Sequence, residues 1–279
     1  MTCYLCGQSN FSIRDGVVRD KPVLEIRECN NCRLVYLSSD AHIQDGHYEA
    51  SGMHGDAPPS MEAWLRDAEP DDQRRFRMLQ PLLVNKTLLD FGCGAGGFLN
   101  LAKPVASEVA GVELEKRVSE HWGARLAVHS GLDKVDKKFD VVTAFHVVEH
   151  LNDPREVLRQ LGHRLAPGGR LVVEVPSADD ALLTLYENDE FQRFTYWSQH
   201  LFLFNIQTLQ MLVQQAGLRL LAVEQIQRYQ LSNHLYWLSR GKPDGHKLWG
   251  FLNSTELHRA YTSSLAAVGK CDTLVAHIG

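Results

Sequence analysis

Apolar positions along the chain fall into three regimes of spacing. Between residues 64 and 83, Trp64, Leu65, Phe76, Leu79, Leu82 and Leu83 stand among charged residues. That spacing predicts one or two amphipathic helices, broken near Pro70. From Thr87 onward, short apolar runs alternate with helical stretches. Residues 87–91, 109–113, 126–129, 139–145 and 170–175 predict strands, and residues 97–103 and 154–165 predict helices. Asp153 before Pro154 is a helix start, and Pro167-Gly168-Gly169 is a stop and turn. Residues 207–216 predict another helix ended by Gly217, residues 218–226 a sixth strand, and residues 273–278 a final edge strand. Strands that alternate with helices need crossover connections and so a parallel sheet, which makes this an α/β domain. The 228–270 stretch is long for a loop and carries a helix signal at 255–268. It reads as a cap inserted over the sheet's ligand edge.

The first 40 residues follow neither period. They hold four of the six cysteines, as Cys3-x-x-Cys6 and Cys29-x-x-Cys32 with 22 residues between the pairs. Two such knuckles can supply four thiolates to one tetrahedral zinc, leaving no open position, so the metal would be structural. Redox-active pairs are the alternative, but neither pair opens a helix in a βαβ context. Residues 41–60 have loop chemistry. The expected organisation is a zinc module at 1–40, linker and amphipathic helices at 41–84, the α/β domain at 85–227, the cap at 228–270 and the last strand at 271–279. In the 279-residue chain, 44% hydrophobic and 23% charged residues suit a globular core. The net charge of −5 gives no basic excess for nucleic acid. The sequence shows no signal-peptide pattern and no apolar run of spanning length, so a cytoplasmic protein is expected.

The chemistry concentrates at Asp90-Phe91-Gly92-Cys93-Gly94-Ala95-Gly96-Gly97, where a predicted strand enters a glycine turn and then a helix. Glycine there tolerates unusual dihedrals and lets backbone approach a ligand. Glu113, 23 residues after Asp90, ends the next strand and can accept hydrogen bonds from both ribose hydroxyls of a nucleoside. Gly92, Gly94 and Gly97 also fit a dinucleotide fingerprint. Asp90 argues against that reading, because an anion there repels a pyrophosphate and suits an ammonium. Together with Phe139-Asp140-Val141-Val142 and Pro167-Gly168-Gly169, these motifs resemble the class I S-adenosylmethionine-dependent methyltransferases over roughly residues 87–226. The resemblance implies a Rossmann-like, doubly wound, mostly parallel seven-stranded sheet. It also implies S-adenosylmethionine held by Asp90, Gly92, Gly94, Gly96 and Glu113. The family's adenine-binding acid has no clear counterpart: Ser130, the backbone near Leu132, or Asp133 could serve. Cys29 through Leu37 with His47-Tyr48 resembles the zinc-ribbon leader of a branch acting on sugars and small metabolites. That implies Tyr48 over the cofactor pocket, against the alternative that it packs at a domain junction.

Methyl transfer needs an acceptor held close to the methyl carbon and, for a hydroxyl or carbon acid, a base. His146, Glu149 and His150 follow the fourth strand and resemble the Glu-x-x-Glu-His segment of quinone-biosynthesis O-methyltransferases, with His146 in place of the first acid. They read as a base with its orienter, as ligands of a second divalent metal, or as caps of the next helix. His200 is a second candidate base. Tyr229, Asn233, His234, Tyr236 and Trp237 in the cap suit a small ring or sugar, or form the cap's own core. Arg74, Arg75 and Arg77 read as a solvated helix face balanced by Asp71 and Asp72. The expectation is methylation of oxygen or carbon on a small molecule such as a sugar nucleotide, a quinone-like compound or a secondary metabolite. An RNA methyltransferase that grips RNA through its ribbon, or a non-catalytic binder, are the alternatives.

Overall fold

The structure is a computed structural model and describes residues 2–43, 46–49, 54 and 57–279. Residues 44–45, 50–53 and 55–56 of the expected linker lie outside the described residues. The N-terminal segment forms three short strands, β1 (Phe11–Ile13), β2 (Ile26–Cys29) and β3 (Val35–Leu37). The long helix α1 (Met61–Leu83) leads into an alternating series: β4 (Thr87–Phe91), α2 (Gly97–Ala102), β5 (Glu108–Val112), α3 (Lys116–Trp122), β6 (Ala127–His129), β7 (Phe139–Phe145), α4 (Pro154–His163) and β8 (Leu165–Pro176). A connection of α5 (Ala181–Thr184), α6 (Asp189–Thr195) and β9 (Phe202–Leu203) precedes α7 (Ile206–Gln215) and β10 (Leu220–Ile226). Three more helices, α8 (Leu231–Arg240), α9 (Gly245–Leu248) and α10 (Thr255–Ala267), come before β11 (Thr273–Ile278).

Seven strands form one sheet in the order β10-β11-β8-β7-β4-β5-β6. Strands β8 through β6 are parallel, while β11 runs antiparallel to both of its neighbours. Both faces are covered, and the side-chain period of two shows how. Leu88, Val141, Val172 and Val275 face one apolar cluster with α1, α2 and α3. Their neighbours Leu89, Val142, Val173 and Leu274 face the other, with α4 and α7. Near-continuous apolar strands are what burial on two faces requires.

Three expectations need correction. The last strand is not at the edge: β11 lies between β10 and β8, and all six of its residues are buried. The half-exposed β10, which carries Glu224 and Gln225, is the edge instead, as the more polar of the two strands should be. Helix α1 does not break near Pro70 but runs through both Pro70 and Pro81. Pro70 is exposed, so the carbonyl its ring deprives of a partner can face water. Strand β8 begins at Leu165, ahead of the Pro-Gly-Gly turn, because the register jumps from Phe139↔Leu165 to Val141↔Arg170 and absorbs the turn as a bulge.

The N-terminal strands pair antiparallel in the order β1-β2-β3, and β9, from the middle of the α/β chain, adds the fourth strand. Cys3, Cys29, Cys32, Leu34 and Tyr36 share a buried cluster with the core of the large sheet. The helices at 231–267 connect β10 to β11 at the end where the parallel strands have their carboxyl termini.

Candidate active site

The chain runs from β4 outward through β5 to β6, then crosses back to β7 and β8 on the other side. A crevice therefore opens at the carboxyl end of β4, where such sheets hold their ligands. A cleft of about 550 Å³ lies there. Gly92, Gly94 and Gly96 all have positive φ (69°, 52° and 81°), so the loop turns tightly. A Cβ at Gly92 would overlap Val147, and one at Gly96 would overlap the Trp122 indole, whose Nε1 donates to the Ala95 carbonyl at 2.8 Å.

Two carboxylates flank this loop. Asp90 is 2% exposed, and Thr143 Oγ1 donates to its Oδ1 at 2.6 Å. Burial pushes the Asp90 carboxyl up to about 7. Glu113 Oε2 accepts from the Gly94 amide at 2.9 Å. Its Oε1 accepts from the Leu114 and Glu115 amides at 2.7 and 3.1 Å. Burial raises the Glu113 carboxyl despite these donors. Leu114, Gly131, Leu132 and Asp133 line the same part of the cleft. Ser130 does not; it is exposed beside them.

The cleft is also lined by Tyr48, His146, Val147, His150 and Leu151. His150 Nδ1 lies 2.8 Å from the Gln199 carbonyl, to which it can only donate, so Nε2 carries the lone pair. Burial pushes the His150 pKa down. The His200 ring lies 4.9 Å from that of His150, and burial takes its pKa to about 3. The Tyr48 hydroxyl donates to the His150 carbonyl at 3.2 Å. His146 stands at φ 54° with both ring nitrogens engaged, Nδ1 at 3.0 Å from Glu149 Oε1 and Nε2 at 3.2 Å from Glu174 Oε1. Burial and the Arg228 guanidinium work to lower its pKa, but the two carboxylates outweigh them and raise it.

A family model described as "Methyltransferase domain" matches residues 65–223. The chain belongs to this methyltransferase family. Among curated relatives, a ubiquinone biosynthesis O-methyltransferase of Idiomarina loihiensis is 29% identical over 101 residues. The alignment spans 32% of this chain and 42% of that protein. The corresponding protein of Serratia proteamaculans is 34% identical over 104 residues, again 32% of this chain and 42% of the relative. The match thus spans under half the length of these relatives. A solved SAM-dependent methyltransferase from Archaeoglobus fulgidus shares the fold, with a TM-score of 0.51 at 20% identity, covering 82% of this chain and 98% of that one.

In this chain the expected residues divide into those the fold brings together and those it does not. Asp90, Gly92, Gly94, Glu113 and Tyr48 line the cleft, whereas Gly96 acts in the turn behind it. Tyr229, Asn233, His234, Tyr236 and Trp237 are not among its lining residues. Asn233, His234 and Trp237 are buried: His234 Nδ1 meets the Tyr261 hydroxyl at 2.7 Å, and Trp237 packs on Phe191 and Phe194 of α6. The reading of Arg74 and Arg75 as a solvated face is wrong. Both grip Glu174 Oε1, at 2.9 and 2.7 Å, deep under the cleft; only Arg77 is exposed. Asp71 pairs with Arg228, and Asp72 is buried and pushed up to about 6 by burial. Glu174, Arg75, Asp72 and Trp64 were not anticipated at the site. The signal available was Glu174 itself, the lone carboxylate in the apolar run Leu171-Val172-Val173-Glu174-Val175, which must find cations when buried.

At the N-terminus Cys3, Cys6, Cys29 and Cys32 converge, with sulfur atoms within 4.8 Å of one another. Cys3 and Cys32 Sγ are 3.5 Å apart and Cys6 and Cys29 Sγ 3.4 Å, and all four thiols are free of disulfides.

Proposed function

We propose that this chain binds S-adenosylmethionine in the cleft at the end of β4 and transfers its methyl group to an oxygen or carbon of a small molecule. The observation that carries this reading is a single cleft lined by Asp90, Gly94, Glu113 and His150. The residues fit the cofactor: Glu113 offers acceptors to ribose hydroxyls, Leu114 and Leu132 offer apolar surface to a purine, and buried Asp90 suits a cationic amino-acid moiety. When bound, S-adenosylmethionine supplies an electrophilic methyl carbon. His150 Nε2, kept neutral by burial, takes the acceptor's proton while Tyr48 and Leu151 confine the acceptor beside it. The relatives named as ubiquinone biosynthesis O-methyltransferases support a small ring hydroxyl as the acceptor.

The four N-terminal thiols fit a zinc ion in number, chemistry and spacing, and the absence of an open position makes its role structural. One further observation favours a metal beside the cleft, where only His150 of the cluster lines it. Ligand atoms of Glu149, His150 and His200 also lie within 4.8 Å of one another. Among the described residues, Glu149 Oε2 is buried without a hydrogen-bond partner. In that case these three residues would orient an acceptor hydroxyl through a divalent ion, in place of His150 acting alone.

The test is methyl transfer from labelled S-adenosylmethionine to a panel of phenols, quinols, sugars and bulk RNA. The expected result is a labelled small molecule whose formation falls about 10²–10⁴-fold in His150→Ala. Label found only in RNA would overturn the acceptor class. Metal analysis separates the two site readings, as zinc alone at one equivalent argues against a metal at Glu149.

A further inference from the structure

The segment that sets Gln199 and His200 against His150, between α6 and β9, is held largely by the N-terminal module. The Arg19 amide donates to the Tyr196 carbonyl at 3.0 Å and the Leu37 amide to the Leu201 carbonyl at 3.1 Å. The Arg19 guanidinium lies over the Phe194 and Trp197 rings, at 5.3 and 5.4 Å. At the centre, Asp20 Oδ1 accepts from the Ser198 amide at 2.9 Å and its Oδ2 from the Ser198 hydroxyl at 2.6 Å. His42 Nε2 donates to the Ser198 carbonyl at 2.6 Å. Ser198 is thereby fixed by three bonds, one residue before the carbonyl that receives the His150 Nδ1 proton.

We propose that Asp20 is a positioning residue for His150. Its carboxylate anchors Ser198, which sets the Gln199 carbonyl, which in turn keeps His150 in the tautomer with a basic Nε2. The inference rests on the reading of His150 as the base, and it gives the N-terminal module a part in the reaction as a clamp on the acceptor side of the site. Two bonds to an ionised carboxylate are stronger supports than neutral ones, and a ring nitrogen's tautomer is set by what its other nitrogen is bonded to. Ligands of the nucleoside end, on β4 and β5, take no part in this chain of contacts.

Nitrogen-detected NMR of the His150 imidazole in the zinc-loaded full chain tests this without needing the acceptor. In Asp20→Ala the Nδ1 proton is expected to exchange with solvent at least about tenfold faster, the consequence of losing one charge-assisted support. The pure Nδ1–H tautomer becomes a mixture, while S-adenosylmethionine affinity by calorimetry stays within about twofold, or ~0.4 kcal/mol. Should Asp20→Ala not fold, Ser198→Ala removes only the hydroxyl bond and should show a smaller shift in the same direction. Unchanged His150 resonances in either folded variant overturn the proposal, as does a parallel loss of cofactor affinity, which would mark a general structural role. Activity of His150→Ala judges the base assignment separately.

Discussion

At the scale of single residues, the site depends on charges placed where water cannot reach them. Glu174 is fully buried between Arg74, Arg75 and His146. Burial would raise its pKa, but these three partners overrule it and hold the carboxyl well below its usual range. Glu174→Ala leaves the Arg74 and Arg75 guanidiniums facing one another without their shared carboxylate and is expected to cost about 3–5 kcal/mol in chemical denaturation. The folded pKa is depressed, so the carboxylate's contribution to stability is fully present above its unfolded value of ~4.3. It is lost as pH falls through the folded one. A denaturation series at descending pH should therefore show an acid-sensitive component that Glu174→Gln lacks. The pH dependence of the rate tests His150 as the proposed base: a base with a lowered pKa becomes active below the ordinary imidazole value of ~6.5. The acid limb of the rate profile should lie under that pH. Asp90 and Glu113 were legible in the sequence because they sit at fixed offsets from a glycine turn. The arginine cluster was not, since a helical Asp-Asp-x-Arg-Arg run looks the same whether it faces water or a buried glutamate.

At the scale of elements, the loop between β4 and α2 must turn left-handed at three glycines, so its geometry resists side chains. Gly92→Ala places a Cβ at φ 69° and against Val147. The left-handed backbone alone costs roughly 1–2 kcal/mol, and displacement of Val147 reaches its neighbour His146. Thermal denaturation and cofactor titration should both worsen. The strands of the large sheet were legible because two-sided burial makes them continuous apolar runs bounded by turns. The position of β11 is not legible in the sequence because order within a sheet is set by which strand can tolerate a solvent edge, and that comparison between Thr273–Ile278 and Leu220–Ile226 needs both strands side by side. The three-residue strands β1 and β3 and the two-residue β9 carry too few positions for any period to register. Helix α1 keeps its length through Pro70 because both sides are anchored: Met61, Trp64 and Leu65 before the proline pack against the same cluster as Leu79 and Leu83 after it.

At the scale of the molecule, the cysteine module is part of the core rather than an appendage. Its sheet is completed by β9, and its cysteines pack in the same cluster as Leu89 and Val142. With zinc bound at the four thiols, chelation is therefore expected to loosen the 194–204 segment that holds Gln199 and His200 against His150, visible as a change in Trp197 emission. The β4–β5 half of the cleft should keep its cofactor affinity within about tenfold, or ~1.4 kcal/mol. No helix among the described residues is long and apolar enough to cross a membrane.

The claim on which all of this depends is that the glycine turn between Asp90 and Glu113 receives a sulfonium nucleoside. Calorimetric titration of the full chain with S-adenosylmethionine tests it directly. The expected result is saturable one-to-one binding that Glu113→Ala weakens by at least about tenfold, the loss of one charge-assisted hydrogen bond or more. No heat at millimolar nucleoside, or equal affinity in the folded variant, would contradict it.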